Sequence, residues 1–413
     1  MHARRVALGV AGRVVQNHLN ADLSDGGEPT RICADCGGKA RHAGRREKRF
    51  ESVLGALHLR RAYYHCACCG HGFYPRDRTL GVEGLCLTPA LTRMVGHVGA
   101  LVSFAEGSDL LHELSGALVD AKQVERTAER LGQEILDDER RVVVATEPVA
   151  DTLYLGMDGT GVPVRPAELA GRSGKQADGT AKTREVKLVT VWSAEDRDDQ
   201  GVAVRDRGSI SYSAAIESAA MLDTDEHLSA FAQRVRREAD RRGFDQAARR
   251  VILGDGAAWI WKLAEELFPG AIQIVDLFHA KGHLWDVAKS IYGIGNEVGE
   301  QWAKQRRDEL DAGAIDTLVE VLQQHAAHND EARRCLGYLR NNQARMRYPA
   351  FRAQGLCVSS GVVEAGCKIA IGTRLKRAGM RWTVDGADAI IALRCCRLSG
   401  RFDNFWARRS AHR

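Results

Sequence analysis

Four cysteines in two pairs form the strongest chemical pattern in the sequence. Two residues separate Cys33 from Cys36, and two separate Cys66 from Cys69. Two such turns supply the four soft ligands that Zn²⁺ binds in a tetrahedron, so we predict a structural zinc site with no open position for catalysis. Free buried cysteines and a redox pair are the rival interpretations. The spacing also leaves three alternative ligands open, namely Cys68, His65 and His71.

Three carboxylates lie in contexts typical of a site for hard cations. Asp158 and Asp255 each directly follow an apolar, strand-like run, and Glu364 lies early in a helix predicted over 361–377. Carboxylate oxygens are the ligands that Mg²⁺ or Mn²⁺ prefers, and a pair of such ions promotes in-line phosphoryl transfer. A lone aspartate at the end of a strand is more often a turn or cap residue. The hypothesis therefore depends on all three acids forming one site.

Strands and helices alternate in the region that contains these acids. Apolar runs predict five strands, over 153–157, 183–195, 208–213, 251–254 and 272–275. Helical spacing separates the later strands, over 225–242 and 257–267. Three strands followed by helix, strand, helix and strand is the order of a ribonuclease-H-like mixed sheet. Residues 279–345 are predicted to be helical throughout, and a last helix is predicted over 385–399.

Shorter elements precede this region. A β-hairpin centred on Gly55 is predicted over 49–59, between the cysteine pairs. Thr88 and Pro89 form a helix start, and Ser103 with Glu106 matches a capping box. A third helix, predicted over 120–139, completes a pattern typical of a helix-turn-helix, although an ordinary helical hairpin fits that pattern equally well.

Longer blocks of sequence resemble the ISKra group of bacterial insertion-sequence DDE transposases. The matching blocks are 252–261 around Asp255, 275–281 around Asp276 and His279, 360–368 around Glu364, and the segments 372–376 and 379–382. The resemblance extends from the cysteines to about Trp406. It implies catalytic, metal-binding roles for Asp158, Asp255 and Glu364. It also implies that Asp276 and His279 form an Asp-x-x-His motif that orients the site or contacts DNA.

The basic residues lie in two stretches of the sequence. The whole chain has 59 Lys and Arg against 54 Asp and Glu, a net charge of +5. Residues 31–61 have nine basic and three acidic side chains, and residues 365–413 have eleven and three. Positive surfaces bind phosphates, so we predict a nucleic-acid partner. The predicted DNA contacts in the second stretch are Lys368, Arg374, Lys376, Arg381 and Trp382.

Composition excludes several other classes of protein. With 44% hydrophobic residues the chain is long and apolar enough to fold around real cores. It has no run of about 18 apolar residues and no convincing signal peptide, so neither a membrane span nor export is expected. Eleven cysteines, six of them between positions 33 and 86, favour a reducing cytosol with a metal site. We expect a cytoplasmic bacterial protein associated with the nucleoid.

The predicted fold is an α+β multidomain chain. It combines an N-terminal zinc ribbon, a helical helix-turn-helix region, and a ribonuclease-H-like catalytic core of mixed β-sheet with an all-helical insertion. The predicted domains are a flexible segment (1–30), the ribbon (31–86), a helical DNA-binding region (87–147), the first part of the core (148–278), the insertion (279–355), and core helices with the catalytic glutamate and a basic tail (356–413).

These features predict a DNA transposase that cleaves and joins DNA at terminal inverted repeats. Its cofactors would be Mg²⁺ or Mn²⁺ at the acids and structural Zn²⁺ at the cysteines. Its partners would be double-stranded terminal and target DNA, and a homo-oligomer is expected because two DNA ends must be brought together. Two alternatives remain: a non-catalytic DNA-binding protein, such as a repressor or domesticated remnant, and a nuclease of the same fold that cuts without joining.

Overall fold

The computed structural model describes residues 2–141, 149–174, 180–199, 201–219, 227–359 and 361–411. The chain divides into two compact units. The first unit comprises Met1–Ile135 and Gly400–Arg413, and the second comprises Leu136–Ser399. The domain boundary predicted between residues 147 and 148, the first two residues of the helix predicted over 225–242, and the first residue of the block 360–368 lie outside the described residues.

The first unit contains a four-stranded antiparallel sheet. Its strands follow in sequence order: β1 (Thr30–Ile32), β2 (Lys39–Ser52), β3 (Gly55–Cys66) and β4 (Gly72–Phe73). The long hairpin β2–β3 pairs Ser52 with Gly55 at its tip, as the pattern around Gly55 predicts. Each of the two shorter connections, β1–β2 and β3–β4, contains or adjoins one cysteine pair. The sheet thus brings distant parts of the sequence together at one end.

A helix near the start of the chain differs from the flexible segment expected over 1–30. Helix α1 (His2–Ala21) packs on the hairpin, where Gly12 lies against Leu54. The side-chain amides of Gln16 and Asn20 accept hydrogen bonds from the β3 amides of His58 and Arg60, both at 2.8 Å. The helix therefore satisfies part of an open strand edge, a tertiary contact that local sequence does not reveal.

The remaining elements of the first unit are helical. They are α2 (Pro75–Thr79), α3 (Pro89–Leu101), α4 (Phe104–Ser115), α5 (Ala121–Glu139), whose last turn belongs to the second unit, and α16 (Phe402–Ala411). Helix α3 begins at Pro89 after Thr88, as predicted. Helix α4 begins with the predicted capping box, in which Ser103 and Glu106 each bond the other's backbone amide. Leu91, Val95, Leu111 and Val124 form the core between these helices.

The second unit is built on a mixed five-stranded sheet. In sequence order its strands are β5 (Thr152–Pro163), β6 (Thr183–Ser193), β9 (Ser211–Ala215), β10 (Arg249–Gly254) and β11 (Ile272–Val275), while β7 (Asp196–Arg197) and β8 (Ala203–Val204) form a separate pair. The spatial order is β11-β10-β5-β6-β9. Strands β5, β10 and β11 are parallel to their neighbours in that group, and β6 runs antiparallel to both β5 and β9.

Helices cover this sheet and fill the long connection after β11. They are α6 (Ala230–Arg241), α7 (Ala258–Leu267), α8 (Leu277–Tyr292), α9 (Glu297–Asp311), α10 (Ile315–Ala326), α11 (Asp330–Asn342), α12 (Tyr348–Ala353), α13 (Val362–Gly366), α14 (Thr373–Leu375) and α15 (Val384–Leu398). One continuous core joins the sheet to these helices, with Tyr154, Trp192 and Phe231 among its largest buried side chains. The described part of the chain contains no helix with the length and apolar character that crossing a bilayer requires.

The segment around Glu364 is less regular than the single helix predicted over 361–377. Helix α13 is followed at once by a π-helical turn, Cys367–Gly372, and then by the short α14. A π-helical turn inserts a residue into the helical ladder and changes the direction in which later side chains point. Residues before and after Cys367 therefore do not share one regular helix face.

Candidate metal sites

The structure brings Cys33, Cys36, Cys66 and Cys69 together, which we call the cysteine cluster. Their sulfur atoms all lie within 4.8 Å of one another. The Sγ atoms of Cys33 and Cys69 are 3.6 Å apart, and those of Cys36 and Cys66 are 3.5 Å apart. These separations are too long for a disulfide bond and close to the roughly 3.8 Å edge of a tetrahedron with Zn–S bonds of about 2.3 Å. The cluster can hold a structural metal such as zinc.

The two cysteine turns have the same backbone geometry. In each turn the amide of the fifth residue, Gly37 or Gly70, donates a 2.9 Å hydrogen bond to the carbonyl of the first cysteine. The amide of that cysteine in turn donates to the carbonyl of Gly38 or His71, at 2.8 Å in both turns. The same type of turn therefore presents two cysteines before β2 and two cysteines at the end of β3.

The alternative ligands lie outside this cluster. Cys68 is exposed and is not one of the four grouped cysteines, and His71 Nδ1 lies 2.8 Å from a carboxylate oxygen of Asp35. Hydrogen bonds, the largest from the backbone amide of Cys69, lower the pKa of the Cys66 thiol to about 7, whereas the pKa values of Cys36 and Cys69 are raised because neighbouring thiols and desolvation outweigh their backbone hydrogen bonds. A thiol with a lowered pKa is readily deprotonated, and the thiolate is the form that binds metal. The geometry thus favours the four-cysteine set.

Three aspartates lie level with one another on neighbouring parallel strands, and we call this group the carboxylate edge. On β5 and β10, Gly156 is opposite Leu253, so Asp158 and Asp255 follow at equal distance. On β10 and β11, Gly254 is opposite Val275, so Asp276 follows level with Asp255. Neighbouring strands are about 4.8 Å apart, which places these backbones close together. Asp158 lies within β5 rather than after it, because that strand continues to Pro163.

The surroundings of Asp158 disfavour its negative charge. Burial raises the pKa of the Asp158 carboxyl, and the charge of Asp255 raises it further. Hydrogen bonds from the Cys367 thiol and from the Gly159 amide, the latter at 2.6 Å, lower the pKa and offset part of this effect. A bound cation would relieve the repulsion between the two carboxylates. Their oxygen donors fit a hard divalent ion.

Helix α11 holds the turn that follows Asp255. The Tyr338 hydroxyl donates a 2.9 Å hydrogen bond to the carbonyl oxygen of Asp255, and its ring lies against Gly256. A Cβ atom on Gly256 would lie 2.4 Å from that ring, and the glycine φ of +101° is one that other residues rarely adopt. The Asp255 side chain itself accepts a 2.9 Å bond from the Ala257 amide. The backbone of the second aspartate is therefore rigidly placed.

Asp276 and His279 lie at the start of helix α8. The Asp276 side chain caps the helix by accepting a 3.0 Å hydrogen bond from the His279 amide. His279 is exposed, and its charge lowers the pKa of Asp158, so this ring lies near the carboxylate edge. His283, one turn later, packs against Tyr338 with the two rings tilted by 47° and their centroids 4.3 Å apart. Burial lowers the pKa of His283, which favours a neutral ring.

The helix that carries Glu364, α13, packs closely against β5. A Cβ atom on Gly156 would lie 2.3 Å from a methyl group of Val363, so only glycine lets α13 approach β5 so closely. Residues three apart on a helix are neighbours, and Cys367, three residues after Glu364, touches Asp158. Glu364 itself is exposed. In the described part of the chain only the cysteine cluster groups three or more ligand atoms within 4.8 Å, so the three acids do not form a closed ligand set.

Two residues of this site were not found from the sequence. Cys367 directly follows the helix that carries Glu364, but a cysteine in a helix gives no signal that its thiol will reach a carboxylate on a strand. Tyr338 lies 83 positions from Asp255 and belongs to the helices after β11. Both contacts depend on the tertiary fold. The only related feature of the sequence is a glycine within two residues of each aspartate. Gly156 leaves room for Val363, and Gly256 leaves room for Tyr338.

The structure divides the five predicted DNA contacts into two groups. Lys368, Lys376 and Arg381 are exposed. Arg374 and Trp382 are instead 0% and 7% exposed, the guanidinium lies 5.2 Å from the indole centroid, and the indole NH donates to the Leu375 carbonyl. This burial differs from the direct DNA contact predicted for Arg374 and Trp382, because a side chain without accessible surface supports the segment from inside. The number of basic residues in this stretch does not reveal the burial, because it does not distinguish an exposed arginine from a buried one.

Helices α3 to α5 and the sheet of the first unit have opposite charges. Residues 88–139, which contain α3 to α5, have four basic against ten acidic side chains. Residues 31–61, which contain most of β2 and β3, have nine basic against three acidic. Four of those nine pair with carboxylates within the unit: Arg31 with Glu28 at 3.7 Å, Arg45 with Asp25 at 2.8 Å, Arg49 with Glu51 at 2.5 Å and Arg61 with Asp77 at 2.5 Å. Phosphate contacts therefore fit the ribbon better than the three helices.

Comparison with solved structures found distant similarity. The chain is similar to the Drosophila P element transposase strand transfer complex, with a TM-score of 0.27 and 11% sequence identity, over 80% of this chain and 83% of that chain. No protein-family model matches the sequence, and no curated protein matches it. The function of this chain has to be inferred from its own residues.

Proposed function

We propose that this chain is a DNA transposase of an insertion sequence, which cleaves and joins DNA in a divalent-metal-dependent reaction. One observation carries the proposal. The register of three parallel strands places Asp158, Asp255 and Asp276 at one level, and burial together with the charge of Asp255 raises the pKa of Asp158. Acidic groups held together against their own repulsion are typical of sites that bind cations.

The architecture and the sequence blocks support the finer assignment. The strand order β11-β10-β5-β6-β9, with β6 the antiparallel member next to β5, is the order expected for a ribonuclease-H-like core. Helices α8 to α12 occupy the stretch predicted as the all-helical insertion. The blocks around Asp255, Asp276 and Glu364 resemble the ISKra group of transposases. We propose the six predicted domains on the same grounds, with a helix in the first of them.

Each acidic residue has a distinct task in this proposal. Asp158 and Asp255 would hold Mg²⁺ or Mn²⁺, and Glu364 would complete the ligand set once DNA is present. Bound ions of this kind activate an attacking oxygen and stabilise the leaving one. The chain's contribution is positioning: the Cys367 thiol and the Gly159 amide orient the Asp158 carboxylate, and Tyr338 fixes the turn after Asp255. The exposed imidazole of His279 lies beside them for a DNA or proton contact.

The DNA partner would bind to basic surface on both sides of this chemistry. In the second unit the proposed contacts are Lys368, Lys376 and Arg381, which are exposed close to Glu364 in the sequence. Lys376 is also bound to the hydroxyl of Thr160, two residues after Asp158 on β5. In the first unit the zinc-stabilised hairpin would bind terminal inverted repeats. In such an arrangement the basic side chains bind the phosphates of DNA, while the carboxylates bind the metal ions.

The test uses the DNA that flanks the coding region on both sides, with purified full-length protein. We expect Mg²⁺- or Mn²⁺-dependent nicking of these ends and joining to a supercoiled plasmid. Asp158→Asn, Asp255→Asn and Glu364→Gln should each abolish nicking and joining while end binding in a gel shift persists. Glu320→Gln, an exposed acid on α10, is the matched control and should remain active.

Three outcomes would contradict parts of the proposal. End binding without cleavage under any divalent ion would identify a non-catalytic DNA-binding protein. Cleavage without joining would identify a nuclease of the same fold. Full activity in all three acid variants would show that the carboxylates perform no chemistry, whatever the reaction turns out to be.

A further inference from the structure

We infer that Cys68 is an oxidation site, at which a hydroperoxide forms a disulfide between Cys68 and Cys36 and so removes one ligand from the cysteine cluster. Cys68 lies between two cysteines of the cluster in the sequence, yet neither the metal site nor the proposed DNA chemistry uses its thiol. Every residue involved belongs to the first unit, so the catalytic proposal can fail without affecting this one.

Solvent reaches some of these cysteines and not others. Cys33 and Cys66 are buried, with 1% and 0% of their surface exposed, whereas Cys36, Cys68 and Cys69 are exposed. Oxidation of a thiol requires access to the oxidant as well as thiolate character, so the three exposed cysteines are open to attack. Of these three, only Cys68 lies outside the group of four sulfur atoms that a metal would bind. Cys68 is therefore the cysteine that a peroxide oxidises first.

Cys36 and Cys68 approach each other beside Gly38. A Cβ atom on Gly38 would lie 3.2 Å from the Cys36 sulfur and 3.3 Å from the Cys68 Cβ atom, so both atoms border the same small space. The Cys66 sulfur also borders this space, at 3.5 Å, but it is buried. Cys69 directly follows Cys68, and a disulfide between adjacent residues distorts the planar peptide bond that joins them. Cys36 is thus the partner that the structure offers to Cys68.

The oxidation proceeds in two balanced steps, written here for hydrogen peroxide. The Cys68 thiolate attacks one peroxide oxygen, so that an S–O bond forms, the O–O bond breaks, hydroxide leaves and the sulfur becomes a sulfenic acid. The Cys36 thiolate then attacks the Cys68 sulfur, so that the S–S bond forms, the S–O bond breaks and a second hydroxide leaves. The two hydroxides take up the two protons that the thiols release. Two thiols lose two electrons, and the peroxide is reduced to two waters.

The new bond ends metal binding at the cluster. A sulfur in a disulfide carries no negative charge, and the thiolate is the form that binds metal. Three cysteines would remain, whereas a structural zinc site uses four ligands. The two turns that lose their common ion lie at the open end of the hairpin β2–β3, so oxidation would loosen that end of the sheet. Disulfides in a reducing cytosol are typically transient and redox-sensing, which fits a bond that forms under peroxide and is then reduced.

Zinc release from the purified full-length chain, loaded with zinc, tests the inference. We expect hydrogen peroxide to release the ion, measured with a chromophoric chelator, and we expect Cys68→Ser to release it at least about tenfold more slowly, because the first nucleophile is missing. Cys86→Ser is the matched control: Cys86 is also exposed and outside the cluster, and this variant should release zinc at the wild-type rate. Dithiothreitol followed by added zinc should restore the metal content of the wild type.

Tandem mass spectrometry of proteolytic peptides, prepared without reduction, identifies the bond. We expect Cys36 joined to Cys68 in the oxidised wild type. Zinc release from Cys68→Ser as fast as from wild type would overturn the inference, as would a disulfide from Cys36 to Cys66, or from Cys33 to Cys69, in a chain whose Cys68 stays reduced. A wild-type chain that binds no zinc would also overturn it, while leaving the DNA chemistry proposed for the second unit unaffected.

Discussion

The cysteine cluster and the carboxylate edge differ in how much chain separates their ligands. The four cysteines lie between positions 33 and 69, on two turns with the same hydrogen bonds, and their sulfur atoms are already grouped within 4.8 Å. Asp158 and Asp255 of the carboxylate edge lie in strand β5 and directly after strand β10, 97 residues apart, and with Glu364 of helix α13 they do not form a closed ligand set in the described structure. A closed set of four ligands suits a structural ion, whereas open positions suit a site that must admit a substrate.

The electrostatics of the two sites differ less than their geometry. In the cysteine cluster the pKa of Cys66 is lowered to about 7, with the backbone amide of Cys69 as the largest influence, whereas the pKa values of Cys36 and Cys69 are raised because neighbouring thiols and desolvation outweigh the backbone hydrogen bonds of Gly38 and His71. At the carboxylate edge burial and the charge of Asp255 raise the pKa of Asp158. A bound cation would therefore favour the ionised ligands at both sites, but only the cysteine cluster already has four ligand atoms grouped to receive one. We therefore expect that removing a ligand stabilises the metal-free protein at the carboxylate edge and destabilises the zinc-loaded protein at the cysteine cluster.

The largest expected effect is on catalysis at the carboxylate edge. Asp158→Asn keeps the shape of the side chain but removes its charge, and we expect DNA cleavage to fall by about 10³-fold or more. The same variant should be more stable than wild type at pH 8 without added Mg²⁺. The raised pKa means that folding favours the protonated carboxyl, so ionisation at high pH costs stability that asparagine does not lose.

Thermal unfolding at two pH values checks the sign of this effect. The stability advantage of Asp158→Asn should be present at pH 8, should shrink as the pH falls through the raised pKa of folded Asp158, and should vanish below the ordinary aspartate pKa of 3.8, where the wild-type carboxyl is protonated in both states. Added Mg²⁺ should raise the unfolding temperature of wild type more than that of the variant. A variant that is inactive but less stable at pH 8 would indicate that Asp158 is a structural residue.

Removing a cysteine ligand should lower the stability of the protein, the opposite of the effect expected for Asp158→Asn. Cys36→Ser should reduce bound zinc from one ion per chain to none and unfold the hairpin, because structural zinc contributes on the order of 10 kcal/mol to small domains. Cys68→Ser is the matched control and should retain one zinc ion, since Cys68 is outside the cluster. Zinc content by metal analysis, with proteolysis of residues 30–73, measures both effects. Equal zinc loss in the two variants would contradict the four-cysteine assignment.

The local parts of the architecture follow from the sequence, and particular residues explain why. Gly55 at the hairpin tip, Pro89 after Thr88, and the Ser103–Glu106 box all act within a few residues of themselves. Strands β10 and β11 were recognisable for a similar reason, as short apolar runs that end at Gly254 and directly before Asp276, whereas β5 continues past Asp158 to Pro163. The cysteine cluster belongs to this class, because two cysteines two residues apart already define each half of it.

The parts that the sequence did not reveal depend on distant partners. Helix α1 is held by Gln16 and Asn20 on the edge of β3, and its valines give no pattern that distinguishes an anchored helix from a loose segment. The sequence around Arg374 and Trp382 predicts a basic, aromatic surface, yet the two side chains pack on each other in the interior. At the candidate active site the three acids were recognisable, but the Cys367 contact arises only where the π-helical turn meets β5.

A smaller effect is expected at the turn that places Asp255. Gly256→Ala should destabilise the second unit by about 2–4 kcal/mol, because alanine is strained at this φ and its methyl group would meet the ring of Tyr338. Gly337→Ala, on helix α11 with open space around the new methyl group, is the matched control. It should be neutral or stabilising by about 0.5–1 kcal/mol. Urea denaturation of both variants measures the difference, and equal stability would show that the turn is not rigid.

The smallest effect concerns Cys367, whose thiol donates a hydrogen bond to the Asp158 carboxylate. Cys367→Ala removes that donor, and we expect the Mg²⁺ concentration for half-maximal cleavage to rise several-fold, by about 1 kcal/mol of lost orientation. Cys367→Ser keeps a donor and should stay near wild type. Cys357→Ala removes another buried thiol, one that donates to the Ser359 carbonyl at 3.1 Å, and serves as the control for lost packing.

The pattern across these three variants distinguishes orientation from packing. If Cys367 orients Asp158, only Cys367→Ala shifts the Mg²⁺ requirement, while Cys367→Ala and Cys357→Ala both lower the unfolding temperature. If the thiol only fills space, the two alanine variants lose stability alike and neither changes the Mg²⁺ requirement. The geometry of the carboxylate edge would then depend on its strands alone. The edge would differ from the cysteine cluster, where backbone amides hydrogen-bond the ligands, more than the contacts of Cys367 indicate.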